Sequence, residues 1–198
     1  MCIILLLLFL LSASRVHAAT FGDQTAYSTN FTIKDVVGAF AASPAQSGIC
    51  DSITAYLKFN FDSCKVRCAL YTISGNDTVL VTNGVTGERR FAANSAFAWH
   101  GFAFSEPKPT VTASAAYFIA AFGDTAGTTG SGLPRGATVS GGGPLISKNA
   151  NYESGMPSPL NPSSGSVNLK LSIYVTYTLA SPLPPRRRIV APRSHPSP

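Results

Sequence analysis

The amino-acid sequence predicts an all-β fold, specifically an antiparallel β-sandwich. Residues 167–179 alternate apolar and polar side chains without a break, which is typical of a strand with one face in a core and the other in water. Shorter strand-like runs precede this segment at intervals of roughly 8 to 12 residues, separated by turn signals such as "SGND" and "NGVTG". Outside the N-terminal apolar block, no stretch has a convincing helical period.

The N-terminal segment has the order of features of a secretory signal. Residues 3–11 are an uninterrupted apolar block, too short to span a bilayer, which takes about 20 residues. Residues 16–18, "VHA", place small side chains at the two positions that a signal peptidase reads. We therefore predict a signal peptide over residues 1–18, cleavage after Ala18, and a mature chain that is secreted to the exterior or cell surface without membrane insertion.

The predicted sandwich domain covers residues 19–180. "GICDSITAYLKFNF" places five apolar residues on one face, namely Ile49, Ile53, Ala55, Leu57 and Phe59. "CKVRCALYTI" places Val66, Cys68 and Leu70 on one face, with Lys65 and Arg67 opposite. "TVLVT", "AWHGFAF" and "AAYFIAAF" follow, and the last is apolar on both faces, as expected for a central strand.

The closing run, "VNLKLSIYVTYTL", is predicted to be one long strand. Its core face holds Val167, Leu169, Leu171, Ile173, Val175, Tyr177 and Leu179, and its wet face holds Asn168, Lys170, Ser172, Tyr174, Thr176 and Thr178. Residues 123–166 before it are rich in Gly, Ser and Pro and are interpreted as a long loop, with a short edge strand near "ATVSGGGPLIS".

The net charge of +6 lies mostly outside the predicted domain. Residues 19–180 hold ten Lys and Arg residues against nine Asp and Glu residues, so their net charge is +1 and gives no reason to expect a nucleic-acid partner. Residues 181–198 contain six prolines and four arginines and are predicted to be a disordered, exposed tail.

The mature chain would keep three cysteines, Cys50, Cys64 and Cys68, an odd number for an exported protein. Cys64 and Cys68 lie about 13 Å apart along one strand, beyond the ~7 Å limit for a disulfide. If residues 49–59 and 64–73 form a direct hairpin, Cys50 lies about 17 Å or more from either. The spacing favours free, partly buried thiols, whereas a disulfide would require the two runs to lie in different sheets.

The residues that could carry catalysis are few. His17 lies in the predicted signal and His195 in the tail, so a catalytic triad or dyad that uses histidine would have to include His100. A histidine in a strand is far more often simply hydrogen-bonded. The acidic residues are scattered, which leaves a hydrolase using a pair such as Asp124 and Glu153 as a remote alternative. We predict no enzymatic activity, no catalytic residues, no metal site and no cofactor.

Four segments resemble a recurrent secreted β-sandwich module of prokaryotic and viral surface proteins. They are "SGICDSITAYLKF", "CKVRCALYTISGN", "AWHGFAFSEPKPTVTASAAYFIAAF" and "MPSPLNPSSGSVNLKLSIYVTYT", in that order, within residues 20–179. The resemblance implies a jelly-roll-like architecture similar to carbohydrate-binding modules, without a catalytic site. Its matching positions are core and turn residues, so it implies a fold and assigns no functional residue.

Sugar binding requires exposed aromatic rings that stack on pyranose faces, with amides and hydroxyls nearby. Tyr174, with Lys170 and Asn168 on the same predicted wet face, is the first candidate. Tyr152 in the long loop is the second. Trp99, the sole tryptophan, is a further candidate, although such a residue more often fills the core of a sandwich.

These observations predict a secreted, non-catalytic β-sandwich that mediates surface interaction or adhesion, with an extracellular glycan or surface polymer as its partner. The alternative is a structural, self-assembling subunit of a cell or virion surface, a homo-oligomer without a small ligand. Low charge density, with 12% charged residues, suits both hypotheses equally.

Overall fold

The computed structural model describes residues 17–33, 36–59, 63–74, 77–92, 95–124, 134–160 and 167–180. Residues 1–16 of the predicted signal and the predicted tail over 181–198 lie outside these ranges. The first strand begins at Ala18, the residue that precedes the predicted cleavage site.

Thirteen strands and one 3₁₀ turn form the described part of the chain. The strands are β1 (Ala18–Gly22), β2 (Thr29–Thr32), β3 (Val36–Ala42), β4 (Gly48–Phe59), β5 (Cys64–Ser74), β6 (Asp77–Val85), β7 (Arg89–Phe91), β8 (Ala98–Ala103), β9 (Thr110–Val111), β10 (Tyr117–Gly123), β11 (Pro134–Asn149), β12 (Val167–Leu171) and β13 (Ile173–Leu179). The 3₁₀ turn is η1 (Tyr152–Ser154).

The strands form two antiparallel sheets that pack face to face, which confirms the predicted all-β sandwich. In the first sheet β13 pairs with β1 and β4, and β4 also pairs with β8 and β9. In the second, β10 lies between β3 and β5, and β5 also pairs with β6 and β7. β11 pairs with both β4 and β3 and so joins the sheets along one side. The main apolar core fills the space between them.

A bulge in β4 changes which of its residues face the core. Thr176 of β13 pairs with Ser52 whereas the adjacent Tyr177 pairs with Cys50, so Asp51 is the extra residue on β4. The prediction that Ile49 faces the core is therefore wrong, because the bulge reverses the alternation before it. Cys50 is buried instead and Ile49 is 46% exposed. Ile53, Ala55, Leu57 and Phe59 are buried as predicted.

The closing run divides into two strands rather than forming one. A bend at Ser172 separates β12, which pairs with β11, from β13, which pairs with β4 and β1. The Ser172 carbonyl accepts a hydrogen bond from the Tyr56 N–H at 2.9 Å, and its hydroxyl oxygen accepts one from the Tyr27 N–H at 3.1 Å. Ser172 can lie outside the regular β-sheet hydrogen bonding because these contacts satisfy its polar groups. Within β13 the predicted alternation is correct, with Ile173, Val175 and Tyr177 buried.

The region predicted as a long loop is largely structured. β11 occupies Pro134–Asn149 and pairs with four other strands, although its composition predicts at most a short edge strand. Residues 150–160, here called the covering segment, pack on the outer face of the second sheet. That contact buries a second apolar cluster of Ala69, Tyr71, Phe118, Ala120, Phe122, Tyr152 and Leu160. β10 is consequently buried on both faces, as its sequence predicts.

The three cysteines lie in the core as free thiols. β4 and β5 belong to different sheets, so the direct hairpin considered from the sequence does not form. Burial raises the pKa of the Cys50 thiol to about 12, and the nearby Asp51 adds to the shift. Burial likewise raises the pKa of Cys64 to about 12, with a contribution from Asp124, and burial raises the pKa of Cys68.

We expect these thiols to resist modification in the folded protein. The thiolate is the reactive form, and a raised pKa keeps each thiol protonated at pH 8. A thiol reagent followed by peptide mass spectrometry should label Cys50, Cys64 and Cys68 only after unfolding. Rapid labelling of the native protein, or a disulfide-linked peptide, would contradict this arrangement.

Gly48 lies at the start of β4, where it pairs with Leu179 of β13. A Cβ there would overlap the Thr178 carbonyl oxygen and lie 2.6 Å from Cδ2 of Tyr177. Gly48→Ala should lower the free energy of unfolding by about 2 kcal/mol, as overpacked core substitutions do. The matched control is Gly87→Ala, whose Cβ would meet nothing closer than the Ala103 carbonyl oxygen at 3.9 Å. Equal urea midpoints for the two variants would show that the β4–β13 contact is looser than described.

Candidate functional site

The outer face of the first sheet, defined by the outward residues of β13, β4 and β8, is the candidate site. Burying Ile53, Ala55 and Leu57 turns the alternate β4 residues outward. Antiparallel pairing then aligns outward residues across the three strands, with Tyr174 opposite Thr54 and Tyr56 opposite Trp99. Residues distant in sequence therefore share one surface.

Four aromatic rings form a continuous row on this face: Phe97, Tyr56, Trp99 and Tyr174. The Phe97 and Tyr56 rings are stacked with centroids 5.2 Å apart and an interplanar angle of 18°. The Trp99 ring is tilted against Tyr56 at 5.0 Å and meets Tyr174 edge-on at 5.4 Å. Trp99 is 36% exposed and the other three rings are half-buried, so the aromatic row presents apolar surface to solvent.

Backbone contacts hold the two ends of the aromatic row. Ser95 donates its N–H to the Phe59 carbonyl at 2.8 Å, and its hydroxyl oxygen accepts the Phe59 N–H at 3.0 Å. This reciprocal pair fixes the segment that carries Phe97 against the end of β4. At the other end, the Tyr56 N–H bonds to the Ser172 carbonyl and so fixes the bend that precedes Tyr174.

Gly101 leaves a gap in the side-chain layer beside the aromatic row. It lies in β8 two residues after Trp99 and pairs with Thr54 of β4. A Cβ at Gly101 would meet only the Thr54 hydroxyl, at 3.9 Å, so packing does not require glycine there. A glycine inside a strand weakens it and often marks a position where a ligand approaches the backbone.

Polar groups occupy the opposite end of the same face. The bulge turns Asp51 outward, where its carboxylate accepts hydrogen bonds from the Lys108 ammonium at 3.0 Å and the Thr178 hydroxyl at 2.9 Å. The hydrogen bond and charge of Asp51 raise the pKa of Lys108. Between this pair and the aromatic row lie the outward side chains of Ser52, Thr54 and Thr176.

The structure brings two of the five sequence-predicted residues together, Tyr174 and Trp99. Trp99 does not fill the core, because the register of β8 directs Phe102 inward and Trp99 outward. Lys170 lies on β12 beyond the bend, and its ammonium is 3.8 Å from the Asp23 carboxylate. Asn168 lies on β12 opposite Pro144, and its side chain is outside the described part.

Tyr152 lies in the covering segment and not on the candidate face. Its side chain is only 1% exposed, with the Arg67 guanidinium 4.1 Å above the ring and the Phe122 ring 5.1 Å away. Its hydroxyl donates a hydrogen bond to the Glu88 carboxylate at 3.0 Å. Both polar and apolar parts of Tyr152 are engaged within the fold, so it has no ring face left for a ligand.

His100 points toward the side of the core, away from the aromatic row. Its ring meets Phe91 edge-on at 4.8 Å and Phe59 at 5.5 Å, and its Nε2 has no hydrogen-bond partner among the described residues. This differs from the hydrogen-bonded histidine that the sequence favoured. Burial, with the nearby Arg89 charge, lowers the pKa of His100 and keeps it neutral at pH 7.

The two carboxylates considered for hydrolysis lie with the second sheet. Asp124 is buried at the end of β10, where its N–H bonds to the Lys65 carbonyl at 2.8 Å. Glu153 is exposed and lies 3.8 Å from the Lys65 ammonium. Within the described ranges, no three His, Cys, Asp or Glu side chains gather in a way that could hold a metal ion. In the same ranges, no helix has the length and apolarity needed to cross a membrane.

Sequence reasoning missed Tyr56, Phe97 and Gly101. The alternation of "SITAYLKF" does place Tyr56 opposite the core face, so that signal was present. Phe97 and Gly101 join the site only through the pairing of β8 with β4, and a sequence does not reveal such a long-range register.

Comparison of the chain with protein-family models, with curated proteins and with solved structures gives no match.

Proposed function

We propose that the outer face of the first sheet binds carbohydrate and that the protein is a secreted, non-catalytic surface-interaction module. The observation that carries this proposal is the aromatic row of Phe97, Tyr56, Trp99 and Tyr174, held in contact and partly exposed on one face. Apolar side chains scattered singly are common on protein surfaces, whereas contiguous exposed apolar groups mark interaction sites.

The chemistry of the face matches the two sides of a sugar ring. The apolar C–H face of a pyranose can stack on Trp99, the most exposed ring of the row, while its hydroxyl groups meet the hydroxyls of Thr54 and Thr176. Asp51 and Lys108 supply a charged acceptor and donor farther along the face. These groups are preorganised by strand pairing, so binding orders few side chains.

Gly101 supports the same proposal through the space it leaves. Its position beside Trp99 lets a flat ring approach the β8 backbone, which a side chain would prevent. The outer face of a sheet suits a segment of a glycan chain better than an enclosed small molecule.

The fluorescence of Trp99 provides a direct measurement of ligand binding, because it is the sole tryptophan. A glycan identified by array screening should shift the Trp99 emission and protect it from acrylamide quenching. Trp99→Ala should weaken binding about tenfold or more in calorimetry, since the largest ring at the centre of a binding surface carries much of the affinity.

Gly101→Val tests the site without removing a ring. Valine favours strands and its Cβ has room at this position, so the variant should keep or gain stability, by up to about 1 kcal/mol. Binding should nevertheless fall about tenfold, because the added side chain fills the gap beside Trp99. The matched control is Thr82→Val, which changes an exposed residue of β6 in the second sheet.

Unchanged glycan binding in a folded Gly101→Val variant would contradict the assignment of this face. A protein that binds no glycan and forms regular particles in light scattering would favour the self-assembling structural subunit instead.

A further inference from the structure

Charge is distributed unevenly along the candidate face. At the polar end the Asp51 carboxylate is paired with Lys108 at 3.0 Å. At the aromatic end the Lys58 ammonium lies 5.5 Å from the centre of the Phe97 ring, and no carboxylate of the described residues forms an ion pair with it. The aromatic row therefore ends at a cation that the described part of the chain leaves uncompensated.

The neighbouring strand has a basic residue at the paired position in the sequence. Arg135 of β11 is the register partner of Lys58, so two basic residues occupy adjacent positions at this end of the sheet. Ion pairs between described residues engage five carboxylates elsewhere, namely those of Asp23, Asp51, Glu88, Glu106 and Glu153. None of these five carboxylates forms an ion pair with Lys58.

The aromatic row also contains more than one ring against which a sugar can pack. Successive centroids from Phe97 through Tyr56 and Trp99 to Tyr174 are separated by 5.2, 5.0 and 5.4 Å. A single monosaccharide can cover only some of these four rings, so the row suits consecutive residues of a chain.

We propose that the ligand is an acidic oligosaccharide whose sugar rings lie along the aromatic row and whose carboxylate or sulfate group contacts Lys58. This inference rests on the proposed function and specifies its substrate class. Contact with the aromatic row, Trp99 above all, supplies most of the affinity, whereas Lys58 selects acidic over neutral sugars. That division is expected because an exposed ion pair contributes little free energy but discriminates between charges.

The test compares oligogalacturonate with its fully methyl-esterified form, which has the same rings and no charge. Dextran and dextran sulfate form a second pair, which separates recognition of carboxylate from recognition of sulfate. The wild-type chain should prefer the charged member of at least one pair by about two- to fivefold, and the preference should shrink as salt rises.

Lys58→Gln should abolish that preference by lowering the affinity for the charged member to that for the neutral member. The matched control is Arg90→Gln, which removes one charge from an exposed residue of β7 in the second sheet and should preserve the preference. Poly-glutamate, a polyanion without sugar rings, should bind at least tenfold more weakly than the preferred glycan.

Equal affinity for charged and neutral members, or a preference that survives in Lys58→Gln, would overturn the acidic-ligand inference and leave carbohydrate binding intact. Poly-glutamate binding as tight as glycan binding would overturn it as well. Binding of any of these glycans that Gly101→Val does not weaken would instead overturn the proposed face, and the acidic-ligand inference with it.

Discussion

The alternation of side chains along β4 determines both the core and the candidate site. β4 pairs with β13, β8, β9 and β11, so its register sets the positions of most of the first sheet. Four of its residues enter the core, Ile53, Ala55, Leu57 and Phe59, and the residues between them must then face outward. The bulge at Asp51 lets Cys50 enter the core too, while an acidic side chain is turned onto the outer face.

The two outer faces of the sandwich differ in how far their aromatic residues are buried. On the second sheet, Tyr71, Phe118 and Phe122 are buried beneath the covering segment, which is fastened by Tyr152 and by a bond from the Tyr71 hydroxyl to the Pro157 carbonyl at 2.9 Å. On the first sheet, the aromatic row remains partly exposed. This contrast between a covered apolar face and a partly exposed aromatic row supports the proposal that the exposed face binds a partner.

The sequence predicts those features that depend on local periodicity. The inward residues of β13 and the doubly buried β10 follow from their patterns, and the structure confirms them. Features set by long-range contacts were not predictable in this way. The bend at Ser172 lies inside an unbroken alternation of apolar and polar residues. The glycine-rich composition of β11 does not predict a strand. The burial of Tyr152 results from its packing against Arg67. The sequence predicts only part of the candidate site. Tyr174 and Trp99 are candidates from the sequence alone, whereas their neighbours on the face depend on the register between β4 and β8.

An NMR titration of the ¹⁵N-labelled protein with a binding oligosaccharide would locate the ligand residue by residue. If the outer face of the first sheet is the site, the Trp99 indole N–H and the backbone amides of Thr54, Gly101 and Tyr174 should shift together and saturate with one dissociation constant. Amides of the covering segment over residues 150–160 should stay unchanged. Shifts confined to the covering segment or to the edge strands, with the Trp99 indole unmoved, would contradict the assignment.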